Sequence, residues 1–348
     1  MQSVRGHAWI LVATIMLSLV AVCNFAAEVK VPTMEALPDE YEKRLENRND
    51  VFMALKSELS RESLFSVIDG LNRWEPKSKI TVAFDEGEAE FHKKIESVAK
   101  IWQTAANVEL DFVNPKTKKY RRWSKTDKNY SADVRITLRS GANWSLIGKL
   151  SSDKEMAGPG EASMGLDAFD LVLPQDWEST VLHEFGHVLG FDHEHKNTNA
   201  SCETEFRWED DENGKGIYSR LGAPGGWSKV KIDDNLRKIK NPRGFIISPH
   251  DPNSIMNYAM YPWMFKKAEK SPCYVLRGNK LSDGDRKGAA DAYPTNQHQI
   301  NQLRNQRLSN LSSLMKMSGM SEELKIFYAK QQKTLQIEQP NEQLATPP

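Results

Sequence analysis

Cysteine is scarce in this chain: Cys23, Cys202 and Cys273 are the only three in 348 residues. So few exclude a multi-disulfide framework, and none is paired as CxxC in the manner of a structural zinc site. Net charge is missing as well. Forty-seven Lys plus Arg balance 47 Asp plus Glu, so no global field draws the chain to nucleic acid or an anionic membrane. Internal repeats are absent, and apolar runs are confined to one stretch near the N-terminus. With 39% hydrophobic and 27% charged residues, the composition is that of a soluble globular protein. The length allows one large domain or two modest ones.

The apolar stretch runs from Ala8 to Val22, with Arg5 the only charged side chain before Glu28 and small residues at Ala26 and Ala27. A basic start, an apolar middle and a small-residue site predict a secretory signal over residues 1–27. Its removal leaves a chain of net charge −1 and takes Cys23 away. Cys202 and Cys273 are then expected in an oxidising compartment, where a pair most simply forms one disulfide; two buried free thiols are the alternative. The location expected is secreted or extracytoplasmic, with no membrane attachment after cleavage. Sequons stand at Asn129, Asn143, Asn199 and Asn310.

Residues 28–75 are charged and helix-prone, with Leu55, Leu59, Leu64 and Val67 near helical spacing, and read as an N-terminal extension or pro-segment. Ile80 to Phe84 reads as a strand; Phe91, Ile95, Val98 and Trp102 follow at helical spacing. The alternations Val108-Leu110-Phe112 and Val134-Ile136-Leu138 predict two more strands, hence a mixed sheet. The basic residues from Lys116 to Lys128, interleaved with Tyr120, Trp123 and Tyr130, read as a solvated loop, and no nucleic-acid partner is expected. The acidic segment from Glu209 to Gly214 lacks the bidentate acid of a calcium loop, since Arg220 holds the twelfth position, and reads as a turn. Ser282 with Asp285 predicts a capped helix ending at Tyr293-Pro294. Pro294 closes the domain 76–294. Residues 295–348 form a Gln/Asn-rich tail with a possible amphipathic helix through Ile300, Leu303, Leu311 and Leu314.

The chemistry lies in His183-Glu184-Phe185-Gly186-His187-Val188-Leu189-Gly190-Phe191-Asp192-His193. On a helix starting after Asp176 as its cap, His183 and His187 lie one turn apart on one face. Gly190 permits the left-handed conformation that ends a helix, and the chain can then turn back to bring His193 to the same ion. Three imidazoles leave a fourth position open, the arrangement of a catalytic rather than a structural zinc site. Glu184, about 100° around the helix from His183, is placed as a general base. Over a chain with 8 His and 20 Gly, three histidines and a glycine in that spacing arise by chance on the order of 10⁻⁴ times.

HEFGHVLGFDH resembles the extended metzincin pattern HExxHxxGxxH, and Glu194 directly after the third histidine resembles the astacin branch. Asp251-Pro252-Asn253-Ser254-Ile255-Met256-Asn257-Tyr258 resembles a Met-turn. The resemblance implies Met256 as an apolar floor beneath the histidines and Tyr258 as a displaceable ligand and oxyanion stabiliser. Gly141 to Ser145, with Gly148, resembles the edge-strand region above the cleft; core packing is the other role open to Trp144. The resemblance spans residues 76 to 294. Departures mark the chain as divergent: Asn197, Asn199 and Ala200 replace the charged residues that come next in astacins, and the four-cysteine pattern is absent.

The resemblance implies an α+β, metzincin-type zincin fold: a twisted mixed sheet with the active-site helix above, a loop-rich part below. One catalytic Zn²⁺ on His183, His187 and His193 is expected, with Glu184 and Tyr258 as catalytic residues, acting as a monomer on proteins or peptides. A catalytically silent zinc-containing adhesion module and a zinc amidase acting on cell-wall amides are the rival readings. His195 is expected at the surface rather than as a fourth ligand, Glu194 is expected to be solvated, and neither a thiol nor an acidic switch is evident upstream of the motif.

Overall fold

The computed structural model describes residues 34–54, 70–170, 172–238, 249–276 and 278–337. The expected signal over 1–27, the spacing of Leu55, Leu59, Leu64 and Val67, and the end of the C-terminal tail lie outside them. Among the described residues the helices are α1 (Asp39–Ala54), α2 (Ala89–Ala99), α3 (Trp177–Val188), α4 (Cys202–Glu205), α5 (Ile217–Leu221), α6 (Lys229–Leu236), α7 (Asp283–Ala292), α8 (Gln297–Leu314) and α9 (Glu322–Ile337). The strands are β1 (Lys79–Phe84), β2 (Glu109–Asp111), β3 (Arg121–Arg122), β4 (Val134–Thr137), β5 (Trp144–Ser145) and β6 (Met164–Gly165).

The sheet runs β2-β1-β4-β6-β5, with β3 also pairing β1. All its pairs are parallel except β5 with β6, where Trp144 lies opposite Gly165. The sheet is therefore mixed, as the alternation of strand and helix patterns predicts. β1 is central, and Ile80, Val82, Ala83 and Phe84 are all buried, which suits a strand covered on both faces. α2 and α3 pack against each other, and Ile95, Val98, Val181, Leu182 and Phe185 join the sheet residues in one core. Every residue of α3 from Ser179 to Val188 is buried; a helix enclosed all round is a core element. No described helix is long and apolar enough to cross a membrane.

Capping divides the expectations. Ser282 accepts from Asp285 N–H and the Asp285 carboxylate accepts from Ser282 N–H, a full capping box at the start of α7. Asp176 makes no side-chain cap at α3; the first turn there relies on the Thr180 N–H reaching the Asp176 carbonyl at 3.0 Å. The basic stretch is surface structure whose aromatics serve the fold. Trp123 is buried and donates to the Ile136 carbonyl at 2.7 Å, while Tyr130 donates to that of Ala157 at 2.9 Å. The acidic segment is a turn closed between Asp211 and Gly214.

Below α3, helices α4 to α6 and the chain around Phe265 enclose a second core of Phe206, Ile217, Ile232, Tyr258 and Met264. Cys202 and Cys273 are joined there as a disulfide, with Cα atoms 5.4 Å apart. Helices α8 and α9 pack on each other and form a third core with Leu71 and with Phe52 of α1.

Candidate metal centre

His183 and His187 stand on successive turns of α3. Their Nδ1 atoms lie 2.7 Å from the Ile255 and Phe191 carbonyls, and a carbonyl can only accept, so each Nδ1 carries the proton. Each Nε2 is left with its lone pair, the form a metal requires. Gly190 takes φ +89, in the left-handed region where a side chain is strained, and its N–H bonds the His187 carbonyl at 2.8 Å. The chain turns back there, and His193 comes within 4.7 Å of the His187 ring and 5.1 Å of the His183 ring, centroid to centroid.

The carbonyls at the end of α3 have no partners within the helix, and aromatic donors reach them. Trp74 Nε1–H meets the Val188 carbonyl at 2.7 Å and the Tyr293 hydroxyl meets that of Leu189 at 2.5 Å. Below, Met256 packs against the helix so closely that a Cβ on Gly186 would lie 2.2 Å from its sulfur. Asp285 fixes that turn: its carboxylate accepts from Ser254 Oγ at 2.6 Å and Ile255 N–H at 2.9 Å. Since Ile255 in turn holds His183, one carboxylate braces both the turn bearing Met256 and a candidate metal ligand.

The three Nε2 atoms converge on a carboxylate from far upstream. Glu35 places Oε2 2.8 Å from His183, and Oε1 3.0 Å from His187 and 2.9 Å from His193. One donor atom from each of the four residues lies within 4.8 Å of the others. Three imidazoles, two of them with fixed tautomers, and one carboxylate are a donor set that suits tetrahedral Zn²⁺. Glu184 is fully buried on the same helix, one residue after His183. The Tyr258 hydroxyl donates to the Glu35 backbone carbonyl, with its ring 4.8 Å from that of His193.

The extended histidine motif converges above Met256 on a mixed sheet of this order. The fold and the donor set are similar to those of astacin-like zinc metallopeptidases. A solved structure of myroilysin is similar to it at 25% identity and a TM-score of 0.51, covering 65% of this chain and 97% of its own. A second myroilysin structure is 23% identical over 75% of this chain and 98% of its own, with a TM-score of 0.45. High choriolytic enzyme 1, a hatching enzyme zinc-protease from Oryzias latipes (Medaka fish), is 13% identical over 64% and 94%, with a TM-score of 0.39. No protein-family model and no curated protein matches the chain.

Two neighbours of the third histidine differ from expectation in this chain. His195 is buried, its Nε2 2.9 Å from the Asn235 carbonyl. It is neither a surface residue nor one of the converging donors; its ring packs 5.4 Å from His193 and 5.2 Å from Tyr258, and burial drives its pKa well down. Glu194 is likewise tied in. It accepts from Asp251 N–H at 2.9 Å and Asn197 Nδ2 at 3.0 Å, and burial pushes its carboxyl up to about 7. Trp144 is buried against Tyr41 of α1, ring centroids 5.0 Å apart.

Glu35, Asp285 and Gly186 escape a reading of the sequence as site residues. Glu35 is a single acid among apolar neighbours with no fixed spacing to the motif, so an acidic occupant of the site leaves no local pattern. Asp285 is legible only as a helix cap.

Proposed function

We propose that the chain is the latent form of an exported zinc endopeptidase, with residues 28–75 its pro-segment. Glu35 is the observation that carries this reading: its carboxylate meets all three histidines where a water would have to stand for hydrolysis. Zinc bound by His183, His187 and His193 supplies Lewis acidity and a nucleophilic water at neutral pH. Withdrawal of Glu35 opens the position that this water needs. Glu184, held on a rigid buried helix, takes the proton as the peptide carbonyl is attacked and returns it to the departing amine. Tyr258, released from the Glu35 carbonyl, turns its hydroxyl to the oxygen that gains charge.

Substrate chains are taken to lie along the outer edge of β5, the last strand of the sheet, through backbone hydrogen bonds once α1 has withdrawn. Met256 serves as the floor beneath the histidines, and a single catalytic ion and a monomeric enzyme complete the proposal. The basic start and apolar run before Ala27 support export. A Cys202–Cys273 disulfide agrees with an oxidising compartment.

The test pairs two full-length variants loaded with zinc. Glu35→Ala is expected to raise casein or peptide hydrolysis at least tenfold over the unprocessed chain. Glu184→Ala, added to it, is expected to leave zinc stoichiometry near one and abolish turnover. Hydrolysis that survives the Glu184 change removes Glu184 from the mechanism; a peptidoglycan substrate cleaved in preference to casein favours the amidase reading.

A further inference from the structure

Helix α1 is held from two sides. Its first half lies on the catalytic part: Tyr41 donates to the Ala162 carbonyl at 2.8 Å and Arg44 makes two bonds of 2.7 Å to Glu161. Lys231 reaches Asp39 at 2.7 Å. Its second half meets the C-terminal helices. Phe52 is 1% exposed and packs among Leu311, Leu314, Leu324 and Tyr328. Arg48 is paired with Asp153, both side chains 3% exposed, and its other terminal nitrogen reaches the Tyr328 hydroxyl at 3.3 Å. The guanidinium also lies over the rings of Phe52 and Phe327, at 5.5 and 5.6 Å.

The α8–α9 pair is itself fastened to the catalytic part. Arg307 and Lys149 converge on the Glu75 carboxylate at 2.9 and 2.6 Å, and Lys149 also reaches Gln331 at 3.3 Å. A cavity of about 660 Å³ between α1 and the catalytic part is lined by Leu45, Phe52, Trp144, Leu150, His187 and His193 among others. Contact between α1 and the metal centre is thus incomplete, and Tyr41, Arg48 and Phe52 are the side chains by which the helix is enclosed.

We propose that the α8–α9 hairpin is the receptor for α1: an apolar cup that, beside Asp153 of the catalytic part, is fitted to a helix presenting Arg48 and Phe52 one turn apart. This rests on the reading of Glu35 as the group that keeps the enzyme latent. The hairpin fixes the helix just downstream of Glu35, so cutting the chain between α1 and Leu71 leaves the helix docked and the site covered. Activation then requires the helix to leave the hairpin as well as the connecting chain to be cut.

The test measures binding, which does not depend on turnover. In a full-length Glu184→Ala background, Arg48→Glu with Phe52→Ser should vacate the cup. A fluorescein-labelled peptide of residues 34–54 is then expected to bind this chain at least tenfold more tightly than the unvacated chain, by anisotropy. Adding Leu324→Ala and Tyr328→Ala is expected to weaken that binding at least tenfold. Equal binding with and without the hairpin changes overturns the proposal, as does a vacated chain that binds no better than its parent. As a measurement free of the folding of the multiple variants, Tyr328→Phe or Phe327→Ala alone should speed hydrogen exchange of the α1 amides severalfold, and unchanged exchange in both counts against the receptor. Failure of the latency reading shows separately, as peptide binding with no rise in hydrolysis by Glu35→Ala.

Discussion

Gly186 and Met256 are in such close approach that the glycine's missing Cβ would stand 2.2 Å from the methionine sulfur and 3.1 Å from Trp102 Cζ2. The helix bearing His183 and His187 and the turn beneath it are therefore in register only while residue 186 has no side chain. Gly186→Ala forces Met256 aside against an already packed indole, an overpacking cost of about 1–3 kcal/mol. A lower Tm and weaker zinc retention under chelator challenge are expected together. Compensation by Met256→Ala, restoring part of the Tm, would trace the loss to this contact; an unaffected Tm in Gly186→Ala would show that the turn yields freely.

Asp285 is 8% exposed, and three donors converge on its carboxylate: Ser254 Oγ, Ile255 N–H and Ser282 N–H. Asp285→Asn replaces one acceptor oxygen with an amide that donates, facing groups that also donate. The Ile255 carbonyl that orients His183 loses its anchor, and changes of this kind around metal ligands typically cost about 10–100-fold in metal affinity or activity. Competition titration of zinc against a calibrated chelator is expected to show that loss. A variant whose zinc affinity matches the parent would confine Asp285 to capping α7.

The range of each signal decides how much of the fold and site is legible in the sequence. β1, β4, α3 and α7 are local patterns of alternation, helical spacing or capping, and the structure has them within a few residues of the expected ends. The three histidines are legible because helix geometry and Gly190 fix their relation over eleven residues. Glu35 is not, because it reaches His183 across 148 positions through the docking of a whole helix, and no spacing rule spans such a distance. His195 departs from its expected surface position for a related reason: its burial comes from Asn235 and Tyr258, which lie far along the chain and fold back over it. The Asp176 cap fails because its residue type permits a cap that the local backbone, at φ −103 and ψ 20, does not form.

The disulfide joins the first residue of α4 to the chain after Phe265, with a sequence separation of 71. Closing a loop of that length restricts the unfolded chain by about 4 kcal/mol in the chain-entropy account. Cys202→Ser with Cys273→Ser is expected to lower Tm, with the loss expressed first in the lower core around Phe206 and Tyr258. Hydrogen exchange should localise it there, while the α2 and α3 amides stay protected until global unfolding. Uniform loss of protection across both parts would mean that the two cores unfold as one unit.

Glu75 provides a pH-dependent test of the C-terminal attachment. Burial pushes its carboxyl up, but Lys149 and Arg307 outweigh burial and hold it below the ordinary carboxylate range. A group whose folded pKa is depressed contributes stability that is fully present above its unfolded value of about 4.3 and is lost as pH falls through the folded value. Glu75→Gln leaves two largely buried cations without their counter-charge, for which losses of about 3–5 kcal/mol are typical. The expected Tm deficit of Glu75→Gln is therefore largest at pH 6–8, begins to shrink as the pH drops below about 4.3, and is lost as it falls through the lowered folded value, where the parent's own carboxylate becomes protonated. Thermal melts of the two chains across pH 3 to 8 read the difference directly, and a deficit of constant size throughout would assign the effect to packing instead of charge.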